Sequence, residues 1–505
     1  MKTRIIAFCL LLALPLGAQQ RAVSRPEDAP GRLARYVGLV AEGETLRGSQ
    51  FSVLAVTAGG DTLVAYENGR RLIPASNTKL VTTGLALHEL GPDYRFDTRL
   101  AYSGHIADGV LHGNLYLVGG GDPTLGTKDS IAVPCEALFA GWKKILTDAG
   151  IRRIEGRVVG DGRRFDGPIE QDTWMSQDLG TYYGAGGTAL SFYRNIVEID
   201  VAAGTKPGAP VSMTPVWPET PWMQWRNAAR TGVKGTGNSL YLFNSDLAPV
   251  AELRGAFATD RQPRKEEFSN KFGALTCAYY FRNYLKDNGI PSDGAADITS
   301  EGRLRSETFE DLGVPADSPE DLGGTVSPSL LRIARMTNRR SDNFYAETLY
   351  RTLSLETKGS ADYAVCREAE DAALRRLGLD PSAVRIVDGS GLSRGNWISP
   401  DFLCAFLRKM MDTPVFEDFL GTLGSPGTGT YAARLQNESK DLRRRIFYKS
   451  GSMEGVRCYS GYVIPSSGRR EDTVVFSVML NNCTAPSWKF LPLIDKVIAL
   501  VAMEN

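Results

Sequence analysis

The chain has 505 residues, 42% hydrophobic and 23% charged, an ordinary globular composition that excludes a disordered or low-complexity protein. That length exceeds one ordinary core, so two or three domains are expected. Its 58 Lys and Arg balance 58 Asp and Glu, which leaves no whole-chain charge to support nucleic-acid binding.

Lys2 and Arg4, the apolar stretch Ile5 to Leu16 and the small-residue site Leu16-Gly17-Ala18 read as an export signal over residues 1–18. The stretch is shorter than the roughly 20 residues of a spanning helix, which favours cleavage over anchoring. Cys9 lies inside it rather than at its end, against a lipid-modified terminus. No later segment is long and apolar enough to cross a bilayer, so export to the periplasm without an integral membrane segment is expected.

A short helix is predicted over Ala29 to Ala41. Phe51 to Thr57 and Asp61 to Glu67 alternate in polarity around Gly59-Gly60, a hairpin signal. A helix opening at Ser76 runs through His88 and closes at Leu90-Gly91-Pro92. From about residue 96 to 290 the chain is strand-like and turn-rich, as in Leu115-Tyr116-Leu117-Val118 and Arg157 to Asp161. From about 329 to 411 it becomes helical. Ser341 to Leu355 and Ala361 to Leu377 fit a 3.6-residue period, and Pro400 sits in the first turn of a helix reaching Met411. A short strand, Arg445 to Tyr448, precedes a hairpin of Val456 to Ile464 and Asp472 to Leu480. A terminal helix carries Phe490, Leu491, Ile494, Val497, Ile498 and Val501 at helical spacing. Strands at both ends predict one antiparallel sheet assembled from both termini, with long insertions between them.

Six cysteines follow the signal: Cys135, Cys277, Cys366, Cys404, Cys458 and Cys483. They are too scattered for a disulfide framework, so buried thiols are expected, with room for one or two bridges. No C-x-x-C occurs. The three histidines, His88, His105 and His112, form no H-E-x-x-H and have no G-x-S-x-G elbow to serve. Gly119-Gly120-Gly121 is not a phosphate cradle. Neither a metal nor a cofactor is expected.

Three short strings carry the chemistry: Ser76-Asn77-Thr78-Lys79, Ser341-Asp342-Asn343 and Lys449-Ser450-Gly451. Singly each is weak, since an S-x-x-K arises by chance roughly once or twice in such a chain. Taken alone, they are a helix cap with a solvated lysine, another cap and a basic strand end. Their order is the signal. Ser76 and Lys79, three residues apart on a helix, share a face one turn apart. Lys79 must be neutral to act as a base, and burial beside the cation of Lys449 would lower its pKa from the usual ~10.4. Ser341 would relay a proton to a leaving amine, and Asn343 would orient Lys79 and a substrate amide. Lys449 and Ser450 would hold a carboxylate, with Gly451 permitting close backbone approach. The backbone N–H groups of Ser76 and Ser452 would form an oxyanion hole.

With Ser341 placed 265 positions after Ser76, the chain resembles the class C low-molecular-mass penicillin-binding proteins, the S13 D-alanyl-D-alanine carboxypeptidase/endopeptidases. Leu90 to Phe96, Gly113 to Leu117, Gly121 to Leu125 and Asp388 to Arg394 resemble landmarks of that family. The resemblance implies an α+β fold: a serine β-lactamase/transpeptidase-like domain, an antiparallel sheet flanked by helices, with two smaller strand-rich domains inserted. The implied bounds are 19–95 with 285–505 for the catalytic domain, 96–105 with 177–284 for the second, and 106–176 for the third. It implies an acyl-enzyme on Ser76, peptidoglycan stem peptides and cross-links as substrates, and β-lactams as covalent inhibitors. By position, Asp178, Tyr183 and Arg394 resemble the family's pocket for the zwitterionic end of a diaminopimelate side chain. Ser450 stands where threonine is usual but keeps the hydroxyl. Glu454 stands where a relative has glutamine and puts substrate preference in doubt. A serine β-lactamase and a sensor that stays acylated are the alternative readings.

Overall fold

The computed structural model describes residues 31–315, 319–428 and 431–504; the expected export signal and the start of the first predicted helix lie outside them. Five strands form an antiparallel sheet in the order Thr62–Tyr66, Gln50–Thr57, Val474–Asn481, Val456–Val463, Ile446–Met453. Both ends of the chain therefore meet in one sheet. Because side chains alternate across a strand, one buried on both faces reads as a continuous apolar run. In Gln50–Thr57, Leu54 and Val56 enter one core while Val53 and Ala55 enter the other. The first core is filled by helices Thr78–Leu90, Asn343–Lys358, Tyr363–Arg376 and Pro400–Met411. Helices Arg32–Glu42 and Ser487–Met503 fill the second, with Leu33, Val37 and Val40 packed among Ile494, Val497 and Val501.

The chain between the N-terminal and C-terminal strands of this sheet forms a six-stranded mixed sheet. Its order is Leu304–Ser306, Gly294–Ile298, Arg157–Asp161, Leu115–Val118, Asp97–Tyr102, Glu320–Val326. Its strands come from 96–105, 106–176 and 285–505, which the sequence assigned to three different domains, so its hydrogen bonding crosses those bounds. Three three-stranded sheets complete the strand-rich region, Ser212–Trp217, Ile196–Ala202, Arg264–Ser269, then Gln224–Asn227, Val250–Arg254, Tyr241–Asn244, then His105–Ala107, Val110–His112, Arg153–Glu155, together with the pair Arg230–Gly232 and Ala256–Ala258.

Two helices stand where the sequence suggested only strands and turns, Cys135–Asp148 and Gly273–Asp287. Each buries a helical stripe: Leu138, Phe139, Trp142 and Leu146 on the first, Cys277, Ala278, Phe281 and Leu285 on the second. The Phe281 ring lies 5.3 Å from Phe139 and 5.2 Å from Trp142. Tyr279, Tyr280, Phe281 and Tyr284 are strand-favouring residues, and packing overrides that preference here. Cys135 to Cys483 are all free thiols, five of them buried, and none of the allowed disulfides forms.

The inserted region is fastened to the helices by Arg351. This residue is buried on the Asn343–Lys358 helix and donates to the carbonyl oxygens of Ala361 (3.0 Å), Gly187 (2.7 Å) and Asp166 (2.6 Å). Its guanidinium lies between the rings of Phe165 (5.1 Å) and Tyr363 (5.2 Å). Three different nitrogens of one planar fork reach three separate carbonyls, a spread that the single nitrogen of a lysine does not match. Arg351→Ala leaves them without donors, so chemical denaturation should show a loss of about 3 kcal/mol. Arg351→Lys should recover less than half of it.

Candidate active site

Ser76 sits in a short 3-10 turn, Ala75–Asn77, that runs directly into the Thr78–Leu90 helix. The turn is held in an uncommon conformation, with Ala75 at φ 47°. Two glycines distant in sequence allow it. A Cβ on Gly391 would lie 2.0 Å from the Ala75 carbonyl oxygen, and one on Gly451 would lie 2.4 Å from that of Pro74. At Gly451 the missing side chain makes room for the backbone just ahead of Ser76.

Lys79 is completely buried one turn beyond Ser76. Its Nζ lies 3.1 Å from Ser76 Oγ, 2.7 Å from Asn343 Oδ1 and 2.7 Å from the Ser390 carbonyl oxygen. A neutral amine has two hydrogens and one lone pair. Asn343 and Ser390 accept the two hydrogens, which turns the lone pair toward the Ser76 hydroxyl. Burial lowers the Lys79 pKa to about 8, opposed by the negative charges of Glu347, Asp388 and Asp342.

The Leu330–Arg340 helix ends at Ser341, which takes a left-handed conformation at φ 58°. The next helix opens at Asn343, where Asp342 Oδ1 accepts from the Tyr345 N–H at 3.0 Å. Ser341 is thus a hinge between two helices, not the first residue of one as its sequence context suggested. The hinge aims its hydroxyl at Lys449, whose Nζ donates to Ser341 Oγ at 2.9 Å. Asn343 Nδ2 donates to the Tyr183 carbonyl oxygen at 2.9 Å, and Arg194 pairs with Asp342 Oδ2 at 3.0 Å. Both contacts tie the Ser-Asp-Asn string to the inserted region.

Lys449 is also completely buried, and it lies within a strand that continues to Met453. The expected strand end at Tyr448 is corrected by pairing with the neighbouring strand through Met453 and Val456. Burial and the nearby Lys79 push the Lys449 pKa well down. This is the edge strand, and its outer N–H groups alternate. That of Tyr448 bonds the Gly424 carbonyl oxygen at 2.9 Å, and that of Ser450 bonds Tyr431 OH at 3.2 Å. The same alternation turns the Ser452 N–H outward.

A cavity of about 670 Å³ is lined by Ser76, Ser341, Asn343 and Ser452 and also by Asp178, Tyr183 and Arg394. Tyr183 OH donates to Asp178 Oδ1 at 3.2 Å, and Arg394 donates to the Glu454 carbonyl oxygen at 3.1 Å. Burial raises the Asp178 carboxyl, opposed by the Tyr183 hydroxyl and the Arg394 charge. Burial also pushes the Tyr183 phenol up to about 12.

Sequence reasoning missed several residues that build this site: Arg194, Tyr431, Glu347, Asp388 and the Ser390 backbone. Asp388 Oδ1 accepts from the Gly391 N–H (2.8 Å) and Asn396 Nδ2 (2.7 Å), and Oδ2 from Trp174 Nε1 (2.8 Å) and the Ser393 N–H (2.6 Å). The signal was present in Asp388-Gly389-Ser390-Gly391, an acid followed by two glycines in a tight loop.

A hydroxyl beside a buried lysine, at the edge of a five-stranded sheet covered by helices, defines a serine acyl-transfer site on a β-lactamase-like fold. The crystal structure of penicillin binding protein 4 from Haemophilus influenzae is similar, with TM-score 0.76 and 21% identity over 93% of this chain and 98% of that one. A D-alanyl-D-alanine carboxypeptidase of Actinomadura sp. is 27% identical, over 96% of this chain and 87% of the relative. A second relative, the D-alanyl-D-alanine carboxypeptidase DacB of Haemophilus influenzae, is 23% identical over 85% of each chain. The chain belongs to the D-Ala-D-Ala carboxypeptidase 3 (S13) family, whose model matches residues 34–490, and is a serine carboxypeptidase of that family.

Gly451→Ala should displace the turn carrying Ser76 while leaving the buried lysines in place. We expect acylation of Ser76 to slow about 100-fold, the usual penalty for misplacing a reacting group by about an ångström. Stopped-flow acylation by a chromogenic β-lactam measures it.

Proposed function

We propose that this protein hydrolyses peptidoglycan stem peptides and cross-links through an acyl-enzyme on Ser76. The observation that carries this reading is the three-way contact of buried Lys79 with Ser76 Oγ, Asn343 Oδ1 and the Ser390 carbonyl oxygen. Neutral Lys79 takes the Ser76 proton as the oxygen attacks the carbonyl of a D-Ala-D-Ala or D-amino-acid cross-bridge bond. The developing oxyanion meets the N–H groups of Ser76 and Ser452. Ser341, bonded to Lys449, passes its proton to the departing amine and is refilled by the proton that Lys79 took from Ser76, which leaves Lys79 neutral again. Water then releases the acyl group with Lys79 again as base.

Orientation follows from the edge strand. With the scissile carbonyl at Ser452, the terminal carboxylate points back toward Lys449 and Ser450. The donor peptide runs on toward Met453 and Glu454. An arriving carboxylate favours the charged form of Lys449, and that charge in turn disfavours protonation of Lys79. The donor's penultimate side chain reaches Asp178, Tyr183 and Arg394, where a carboxylate and a guanidinium suit a zwitterionic end. β-Lactams present the same carbonyl and carboxylate and would acylate the same serine. Export to the periplasm, proposed from residues 1–18, would bring the enzyme to this substrate.

A labelled penicillin should attach to the peptide bearing Ser76, and Ser76→Ala should abolish labelling. Mass spectrometry of muropeptides should show loss of terminal D-alanine and of cross-links with the wild type and with no mutant lacking Ser76. Labelling at another residue would remove the assignment. Rapid penicillin turnover with untouched muropeptides would favour a β-lactamase. Arg394→Ala should lower kcat/KM about tenfold or more for peptides with a free diaminopimelate end, yet leave simple D-Ala-D-Ala esters within about twofold. Equal losses on both would contradict the pocket.

A further inference from the structure

Glu347 is a buried carboxylate that does not line the catalytic cavity. It lies four residues after Asn343 on the same helix, so the two side chains share a face one turn apart. Asn343 touches Lys79 directly. Glu347 instead grips the loop that supplies the lysine's other acceptor. Its Oε1 accepts from the Ser390 N–H at 2.7 Å, and its Oε2 from the Gly389 N–H at 3.1 Å and Tyr363 OH at 3.3 Å. The Ser390 carbonyl on that loop receives the Lys79 hydrogen at 2.7 Å. Adjacent turns of one helix thus position both acceptors of the catalytic amine.

We infer that Glu347 is a positioning residue for acylation: it clamps the Gly389-Ser390 backbone against Lys79 and supplies the countercharge that keeps this buried amine basic enough to take the Ser76 proton. The inference rests on the acyl-enzyme reading above. The two buried lysines provide an internal comparison. Lys79, facing Glu347, Asp388 and Asp342, stays at about 8. Lys449 contacts only neutral oxygens, of Ser341 and Ser450, and faces the cation of Lys79; burial and that charge both push it down, with no anion opposing them. Glu347 leads the three anions acting on Lys79. Asp388 is already occupied by four donors that shape the loop, and Asp342 by a helix cap and Arg194.

The groups around Glu347 set when its charge is present. Asp388 faces it from the loop, and Tyr363, Cys366 and Glu370 belong to the Tyr363–Arg376 helix packed against its own. Tyr350 and Arg351 share its helix, and Lys79 faces it from the Thr78–Leu90 helix. Burial, with Asp388 adding to it, pushes Glu347 up to about 7. Above pH 7 it is an anion gripping two N–H groups. Below pH 7 both the grip and the countercharge weaken.

The test is the rate at which labelled benzylpenicillin acylates Ser76 in the full chain, followed by mass spectrometry from pH 5.5 to 10. The wild-type rate should rise with pH as Lys79 loses its proton. Glu347→Gln removes the charge and sets an amide –NH₂ against backbone N–H groups. It should slow acylation about tenfold and move the midpoint of the rise about half a pH unit or more downward. Glu347→Asp keeps the charge but shortens the reach, so the rate should fall with the midpoint unmoved. A uniform loss in Glu347→Gln with the wild-type midpoint, or a wild-type rate, would overturn the inference. Should Glu347→Gln fail to fold by circular dichroism, Glu347→Asp decides: a wild-type rate or a displaced midpoint overturns it. Wild type labelled away from Ser76 would instead show that the acyl-enzyme reading had failed, and this inference with it.

Discussion

Burying an amine that must be uncharged when it works is the constraint on which the rest of the structure depends. Lys79 is sealed from water, and desolvation holds its pKa at about 8 against the free value of 10.5. Linkage makes this a cost in stability of about 3 kcal/mol. The sign follows from a folded-state pKa below the unfolded one: the cost is fully present below pH 8 and vanishes as pH rises toward 10.5. A protein tolerates this only if the surrounding contacts over-determine the site. The anions near Lys79 limit the cost while leaving the amine neutral often enough to act.

Those contacts come from segments far apart in the chain. Ser76 lies in the turn that leads into the helix of Lys79, Ser390 lies 311 residues beyond Lys79, and Asn343 lies 264 beyond it. Glycine makes the convergence sterically possible at Gly391 and Gly451, where backbone meets backbone. The inserted region closes the arrangement. The Tyr183 carbonyl accepts from Asn343, Arg194 donates to Asp342, and Arg351 reaches across to Gly187 and Asp166. Lys271 is buried in that region, paired with Glu170 and donating to the Leu179 carbonyl oxygen at 2.5 Å, which steadies the segment carrying Asp178 and Tyr183. The insertion thus supports the reaction centre as well as bordering it.

Much of this was legible in the sequence because short motifs and strand periodicity are local properties. The three strings, both terminal hairpins and the Pro400 helix depend on neighbours within a few residues. What escaped depends on distant partners. The aromatic run Tyr279-Tyr280-Phe281 looks like strand until Phe139 and Trp142 are in place. Glu347 and Asp388 resemble ordinary solvated acids, since nothing local reveals that Gly389 and Ser390 will direct N–H groups at one of them. Lys449 read as a strand end because Ser450 and Gly451 are poor strand formers, yet pairing with Cys458 and Tyr459 carries the strand through them. Ser341 read as a helix cap, and its left-handed conformation is set where the Leu330–Arg340 helix stops and the helix opening at Asn343 begins.

The most direct test of the account is the ionisation of Lys79 itself, followed by NMR of ¹³Cε-labelled lysine with the resonance assigned through Lys79→Arg. The account predicts a midpoint near 8 in the free enzyme. A Lys79 that titrates near 10.5, as in water, would contradict it, because a lysine protonated throughout the neutral range has no lone pair to offer Ser76.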